Sequence, residues 1–163
     1  MGQYHYIVNL DKREFINPHK LGVGLKACEQ LTNPAGTAQA LFVLLVCSNG
    51  RGGGDLAETR GFDERIIGRW AGDRIAVVGD YAEDYDIKAP LHDPVSLIYD
   101  LCYEGVYHEI SALVRPVLAA ELGVVFTVEP KVARYEDGRE IPYEYWRIER
   151  DAEATFSVLD GSA

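Results

Sequence analysis

Positive charge is scarce in this sequence, in which 16 Lys and Arg residues stand against 26 Asp and Glu residues. The net charge of −10 repels a phosphate backbone, and no stretch of the chain concentrates enough basic residues to overcome that repulsion. We therefore expect no nucleic-acid partner. A basic protein partner or a cation is compatible with this charge, which otherwise favours solubility.

Cysteine is also rare, with residues only at Cys28, Cys47 and Cys102. Each lies in an apolar stretch, where a free thiol behaves as a small hydrophobe, so we expect three buried, reduced thiols. An odd number without C-x-x-C spacing fits neither a disulfide framework nor a zinc site. The four histidines are scattered and form no H-E-x-x-H pattern. The sequence thus predicts no metal and no cofactor.

Long hydrophobic runs are absent, and the longest, Ala40–Cys47, is too short to span a bilayer. Met1–Tyr6 lacks the basic and then apolar pattern of an export signal. We expect a cytoplasmic protein with no membrane partner. The chain also lacks a G-x-S-x-G elbow and a cysteine in an electropositive setting, so it identifies no covalent nucleophile.

The chain does have ample hydrophobic material, 47% of 163 residues, which is enough for the core of one domain. Tyr4–Leu10 and Glu14–Ile16 have the composition of strands joined by a turn at Asp11–Lys12. Asn17 and Pro18 then predict a helix start, as N-cap and first helical position. The apolar stripe of that helix consists of Leu21, Leu25 and Cys28.

The middle of the chain predicts a second helix and a third strand. Thr37 can cap the helix Ala38–Cys47, which is apolar nearly all round and is therefore expected to be central. Arg74–Gly79 is apolar on both faces and predicts a strand beside the first one, in the interior of the sheet. Asp84–Pro94 is polar with two prolines and predicts a surface loop. Ser96–Tyr103 fits a helix or a strand, with the helix slightly favoured.

A further helix is expected over Ala112–Leu122, with Ser111 as its cap and Gly123 as its stop. Pro116 inside it removes a hydrogen bond or introduces a kink. Val124–Val128 has the composition of a strand.

The C-terminal region predicts a hairpin. Its strands are Val132–Glu136 and Glu140–Ile148, joined by a type I′ turn at Asp137–Gly138. Pro142 places the second strand at an edge. Ala154–Leu159 alternates apolar and polar residues and can add one more strand.

These elements predict an α+β fold, or an irregular α/β fold, in a single domain. Residues 1–130 are expected to form a mixed central sheet with three to four helices. Residues 131–163 are expected to form a C-terminal β-hairpin extension, packed on that domain or at its edge. Because an exposed edge strand pairs readily with another chain, a homodimer through this hairpin is one candidate assembly.

Asn49–Asp55 holds four glycines in seven residues. The backbone N–H groups of such a segment can form an anion-binding nest, and Arg51 can supply a planar fork for phosphate or carboxylate. The segment lacks the Lys-Ser/Thr of a P-loop and the context of a dinucleotide motif. A surface connector is the alternative reading. If the loop is functional, we expect Arg51 to project into a cleft shared with Gln3, Asn9 or Asp73.

Asp73 and Asp80 bracket the strand Arg74–Gly79, so they should lie at its opposite ends and cannot share one metal ion. The structural alternative makes Gly72–Asp73 a turn and Asp80 a cap at the end of the strand, with the stem of Arg74 covering Trp70. The acidic loop Asp80–Asp86 could gather around Ca²⁺ or Mg²⁺. It misses the EF-hand spacing, and a solvated loop is favoured.

Five stretches carry a resemblance to a family: Met1–Tyr4, Val8–Lys12, Arg51–Asp55, Trp70–Ile75 and Gly79–Tyr81. They resemble an uncharacterised prokaryotic family that opens M-G-Q-Y…V-N-L-D-K and later carries G-R-G-G-G-D and W-A-G-D-R-I…G-D-Y. The resemblance runs to about residue 123, which makes the terminal hairpin an extension. It marks positions and implies no activity.

Two functions follow as hypotheses. The first is a small acidic binding or accessory module, by analogy one of the immunity or defence type. The alternative is an enzyme that acts on a small anionic substrate, held by the glycine loop, with a nearby aspartate as base or cation ligand. The candidate ligand-binding residues are Gln3, Asn9, Arg51, Gly53, Asp55, Asp73, Arg74 and Asp80.

Overall fold

The computed structural model describes residues 2–33, 35–51, 55–56 and 66–151, and within them it confirms the α+β fold as a single domain. The strands of the mixed sheet are β1 His5–Asn9, β2 Glu14–Ile16, β3 Ile75–Gly79 and β4 His108–Glu109. The helices are α1 Ala27–Thr32, α2 Thr37–Leu45, α3 Val95–Tyr103 and α4 Ser111–Leu122. The hairpin consists of β5 Val124–Arg134 and β6 Glu140–Arg150.

The sheet has the strand order β3-β1-β2-β4, with β1 antiparallel to both neighbours and β4 parallel to β2. The predicted pairing of β3 with β1 is confirmed, with His5 opposite Gly79 and Asn9 opposite Ile75. The predicted interior position of β3 is wrong, because β3 forms one edge of the sheet and Val77 is 57% exposed. Apolar residues on both faces therefore do not place this strand between two others.

Residue alternation along β1 and β2 supplies two hydrophobic clusters on opposite faces of the sheet. Ile7 and Ile16 pack on one face with α2, α4 and the fully buried Trp70. Tyr6 and Phe15 pack on the other face, against α3. The prediction of a helix over Ser96–Tyr103 is confirmed by α3, whose buried side completes this second cluster.

The first predicted helix is wrong beyond its start. Asn17 does cap, because its side chain accepts from the backbone N–H of His19, but the turn it begins is a short 3-10 helix, Pro18–Leu21. Gly22, with φ +69°, ends this turn in the left-handed conformation. The chain re-enters a helix only at α1, so the stripe of Leu21, Leu25 and Cys28 does not form, and Cys28 is exposed.

Helix α2 is shorter and less enclosed than predicted. Thr37 is its first residue and not its cap, since the N–H of Gly36 at the cap position donates to the Gln39 side chain at 3.0 Å. The helix ends at Leu45, which leaves Cys47 outside it and exposed. One side of α2 faces solvent, where Phe42 is 63% exposed.

Of the three cysteines, Cys102 alone is buried, and all three are free thiols. Burial raises the pKa of the Cys102 thiol to about 12. No helix within the described residues is both long and apolar enough to cross a membrane.

The predicted stop of α4 at Gly123 is confirmed, with φ +58°. Ser111 is the first residue of α4 and does not cap it. Its hydroxyl instead accepts from the N–H of Asn17 at 3.0 Å and ties the helix to the 3-10 turn. Pro116 is accommodated inside the helix.

The two predicted strands Val124–Val128 and Val132–Glu136 are one continuous strand, β5, which passes through residue 130. The ladder explains why. Directly opposed odd-numbered residues exchange the ladder hydrogen bonds, as in Tyr135 N–H to Arg139 O and Asp151 N–H to Gly123 O. Pro130 lies at an even position whose N–H would point outward, so its missing donor breaks no ladder bond.

The hairpin turn differs from the predicted type I′. The N–H of Gly138 donates to Tyr135 O at 2.9 Å, and Gly138 has φ +82°. A type I′ turn needs two central residues with positive φ, and Asp137 does not have one. The connection is a type I turn that ends in a left-handed glycine. Residues 152–163, including Ala154–Leu159, lie outside the described residues.

The base of the hairpin packs on the rest of the domain. Val124 is buried and Phe126 adds to the cluster around Trp70. The guanidinium of Arg115 lies 3.8 Å from the ring centroid of Trp146. A β-carbon added at Gly22 would come within 2.8 Å of the backbone nitrogen of Ile148.

Gly22→Ala should destabilise the protein more than Gly138→Ala. Both glycines have positive φ, which costs an alanine about 1–2 kcal/mol. Only Gly22 also lies against β6, whereas nothing lies within 4 Å of a β-carbon at Gly138. Urea unfolding of both variants measures the difference. Equal losses would show that the contact between Gly22 and β6 does not restrict the backbone.

Candidate functional site

The structure divides the predicted site residues between the two ends of the β1–β3 pair. Asn9, Asp73 and Arg74 meet at one end, while Gln3 and Asp80 lie at the other. The expected separation of Asp73 from Asp80 by the strand between them is therefore observed.

Asn9 is fully buried at the end of β1, and its side-chain amide uses both of its functions. The amide oxygen accepts from the backbone N–H groups of Asp11 and Lys12, at 3.0 and 2.8 Å. The amide NH₂ donates to the Asp73 carboxylate at 2.8 Å. One side chain therefore shapes the β1–β2 turn and holds the segment that leads into β3.

Ion pairs surround this amide, and we call such a cluster of polar contacts between distant segments an interlock. The ammonium of Lys12 pairs with Asp73. The guanidinium of Arg74 binds Asp11 through Nε at 2.8 Å and Nη2 at 2.6 Å, and its Nη1 donates to Pro90 O at 2.7 Å. The polar partners of Arg74 are thus Asp11 and Pro90, and the alternative in which the arginine stem covers Trp70 stays a prediction.

A second interlock, which the sequence analysis missed, centres on the buried carboxylate of Glu14. It accepts from Arg69 Nε at 2.9 Å, Arg69 Nη2 at 2.5 Å and the indole Nε1 of Trp70 at 2.8 Å. The signal available in the sequence was a glutamate followed directly by Phe15 and Ile16 in a short strand that must be buried. Such a carboxylate requires a cation and further donors.

A third interlock involves Arg13, which has a left-handed backbone, φ +54°. Its guanidinium binds Asp93 at 2.9 Å and contacts the ring of His92. The buried Tyr107 donates its hydroxyl to the same Asp93 at 2.8 Å. These residues fasten the loop before α3 to the β1–β2 turn.

The carboxylates of all three interlocks are adapted to the ionised state. Hydrogen bonds from Lys12 and Asn9 lower the pKa of Asp73. Burial raises the pKa of Glu14, but hydrogen bonds from Arg69 and Trp70 outweigh it, and the pKa lies below its usual value. None of these carboxylates is suited to act as a general base, since a base near neutral pH needs a raised pKa.

Two of the motifs singled out in the sequence therefore bind one another. Asn9, Asp11 and Lys12 of the first motif contact Asp73 and Arg74 of the later one. The polar residues of V-N-L-D-K and W-A-G-D-R-I are partnered inside the fold. Their placement explains them as structural residues.

At the opposite end of the sheet, Asp80 follows β3 and closes it against Tyr4. The backbone N–H of Tyr4 donates to Asp80 Oδ1 at 3.0 Å, and the N–H of Asp80 donates to Tyr4 O at 3.0 Å. Gln3 lies against Gly79, where a β-carbon would collide with the glutamine amide. Gln3 and Asp80 are thus neighbours, and Asn9 is remote from both.

Tyr99 lies close to Tyr4, Asp80 and Tyr103. We call these four residues, with Tyr81 next to Asp80 in the chain, the tyrosine surface. The ring of Tyr99 stacks on the buried Tyr6 with centroids 4.7 Å apart. Burial raises the pKa of Tyr99, and the nearby carboxylate of Asp80 raises it further. Tyr103 is 76% exposed and Tyr81, next to Asp80 in the chain, is 60% exposed.

In the glycine loop, the backbone N–H of Arg51 donates to the Asp55 carboxylate at 2.8 Å, and both residues are exposed. Asn49 exchanges two hydrogen bonds with the backbone of Leu56, at 2.8 and 3.1 Å. A carboxylate therefore binds one of the N–H groups proposed for an anion. Gly53 lies outside the described residues.

Two clefts lie beside α3, with volumes of about 240 and 330 Å³. The first includes Gln3 and His5 and the second includes His92 and Asp93. Arg51 lines neither of them. The cleft expected to join Arg51 to Gln3, Asn9 or Asp73 is not one of these two.

The described residues contain no group of three His, Cys, Asp or Glu side chains that could hold a metal ion. The carboxylates of the acidic loop bind backbone groups. Asp84 accepts from the N–H of Ser96 at 3.0 Å, at the start of α3, and Asp86 accepts from the N–H of Glu83 at 3.0 Å.

Comparison of the chain with models of protein families, with curated proteins and with solved structures finds no match.

Asp73→Asn should lower the free energy of unfolding at pH 7 by about 1 kcal/mol, and by less at pH 3. The pKa of Asp73 is lower in the folded state than the unfolded value of about 3.9. Its ionised form therefore stabilises the fold above that value, and this contribution is lost as the pH falls through the folded pKa.

Urea unfolding at the two pH values measures the effect, with Asp100→Asn on the exposed side of α3 as the matched control. The control should change little at either pH. A loss in Asp73→Asn that does not shrink at pH 3 would contradict the role of the charge.

Proposed function

We propose that this chain is a non-catalytic binding module, and that the tyrosine surface is where it binds a basic segment of a partner protein. The observation that carries the proposal is the exposure of Tyr81, which follows Asp80 in the chain, and of Tyr103, which like Asp80 is a neighbour of Tyr99. An exposed tyrosine contributes nothing to the packing of the core, whereas tyrosine is enriched where proteins bind one another.

Chemistry favours a cationic ligand at this surface. The face of a tyrosine ring attracts Lys or Arg, and a nearby carboxylate adds an ion pair. The net charge of −10 extends that attraction over the whole molecule and speeds the encounter with a basic partner. The same charge argues against nucleic acid.

The partnered state of the other candidate residues supports a module over an enzyme. Asn9, Asp73 and Arg74 are held in internal contacts, and Asp55 accepts the backbone N–H of Arg51. As part of the proposal we place the protein in the cytoplasm, because the exposed free thiols of Cys28 and Cys47 suit a reducing compartment. The analogy with immunity or defence modules is left as a hypothesis.

Titration of the protein with an octapeptide of alternating Arg and Ser tests the proposal, with an octapeptide of alternating Glu and Ser as the comparison. Calorimetry should show binding of the basic peptide that weakens as salt rises. Tyr103→Ser and Asp80→Asn should each weaken it at least fivefold. Tyr143→Ser, which alters an exposed tyrosine of the hairpin, should leave it unchanged.

Equal binding by all variants, or no binding of the basic peptide, would contradict the tyrosine surface as the site. The enzyme alternative has its own measurement. Phosphate or a nucleotide would raise the melting temperature, and Arg51→Ala would abolish that rise. Such a result would favour the glycine loop as the site of a small anionic ligand.

A further inference from the structure

The hairpin extends past the part of the domain on which it rests. Its base, around Val124, Phe126 and Ile148, contacts α4 and the 3-10 turn. Beyond that base lies a segment that we call the distal arm, residues 128–146, which is exposed over most of its length. Within the described residues, no third strand joins β5 and β6. A two-stranded ribbon in water is marginally stable, so we expect the arm to pack against another protein surface.

The edges of the distal arm are poor places for that contact. Even-numbered residues direct their N–H groups outward from the hairpin, as the bonds of the odd-numbered pairs establish. Pro130 interrupts the outward donors of β5, and Pro142 interrupts those of β6. Gly22 already lies against the outward nitrogen of Ile148. A strand added at either edge would lose its hydrogen bonds within a few residues.

The two faces of the distal arm differ in how they relate to the buried base of the hairpin. We call the inner face the even-numbered side, which carries Val124, Phe126 and Trp146 onto the domain. Opposed residues of an antiparallel pair lie on one face, so this face continues along the arm. Beyond the base this face carries Val128, Pro130, Val132 and Pro142, together with Glu144 and, at its tip, the ion pair of Arg134 with Glu140. An apolar strip that continues from the buried base is therefore exposed where the domain no longer covers it.

Charge identifies what can cover this face. Residues 124–150 hold five Lys or Arg and six Asp or Glu, whereas the rest of the chain holds 11 and 20. The hairpin is thus close to neutral, and nearly all of the net charge of −10 lies elsewhere. Two copies repel each other through any other part of the surface, and least through their hairpins.

We propose that the inner face of the distal arm packs on the inner face of the same arm in a second copy, forming a two-fold dimer. A two-fold axis makes the contact self-complementary, so the apolar strip of Val128 and Val132 in one copy packs on the same strip of the other. The contact goes beyond the proposed function and uses a different surface. It replaces pairing through the hairpin edge, because the two prolines interrupt both edges.

The size of the arm sets the strength of the dimer. Seven residues of each strand span roughly 23 Å, so the interface is small and at the weak end of specific association. We expect a dissociation constant of roughly 10–100 µM. At lower concentrations the protein is a monomer.

Sedimentation equilibrium of the full chain from about 1 to 500 µM tests the proposal. The wild type should pass from monomer to dimer over this range. Val132→Glu should weaken the dimer at least tenfold, because it buries a carboxylate within the apolar strip of each copy, and Val128→Glu should act likewise. Val132 is 52% exposed, so the fold should tolerate the change, which circular dichroism checks.

Ile141→Glu is the matched control, because Ile141 is 45% exposed and lies on the opposite, odd-numbered face. It should leave the dimer within twofold of wild type. A monomer at every concentration would overturn the proposal, and so would equal weakening by Ile141→Glu and Val132→Glu. Tighter association of Pro142→Thr, whose new N–H opens the edge, would show that the copies meet edge to edge instead.

Discussion

The side-chain amide of Asn9 makes three hydrogen bonds in a place that water does not reach. Two of them satisfy backbone N–H groups of the β1–β2 turn, and the third reaches a carboxylate 64 residues further along the chain. An apolar residue there would leave those two N–H groups without a partner, each at a cost comparable to a lost hydrogen bond, and would leave Asp73 with Lys12 but without its buried donor. The register of three strands is fixed at this point.

The buried carboxylate of Glu14 joins β2 to a distant segment, as the amide of Asn9 does for β1. It holds Arg69 and Trp70 against the sheet, and Trp70 is the largest fully buried side chain. One end of the sheet is thus closed by polar contacts that are internally satisfied. The opposite end, near Asp80, carries exposed aromatic rings, and this asymmetry is why we place binding there.

Local pattern predicted much of the fold. The strands β1 and β2, helix α3 and the end of α4 at Gly123 follow from alternation, periodicity and a left-handed glycine. The errors have distant causes. Gly22 ends the first helical turn, and a strand more than a hundred residues away packs against it. Pro130 does not break β5, because the ladder leaves its nitrogen on the outside.

The candidate site was harder to predict for the same reason. Asn9, Asp73 and Arg74 were predicted as candidate ligand-binding residues, but their chemistry depends on which residue each one meets in the fold. A sequence does not show whether a given carboxylate is paired within the fold or free to bind a ligand. Glu14 and Arg13 were missed because a short charged strand does not reveal that its partners lie in two different loops.

The strand order also has a consequence for how the chain reaches this structure. Only β1 and β2 are neighbours in sequence, and β3 and β4 join them after long intervening segments. The bond between Asn17 and Ser111 closes a separation of 94 residues. The chain loses the entropy of loop closure before such distant contacts can stabilise it. The β1–β2 hairpin can therefore form early, while the sheet is completed late. Folding should be slow for a chain of this length, and during synthesis the sheet cannot close until α4 and the segment before it have left the ribosome.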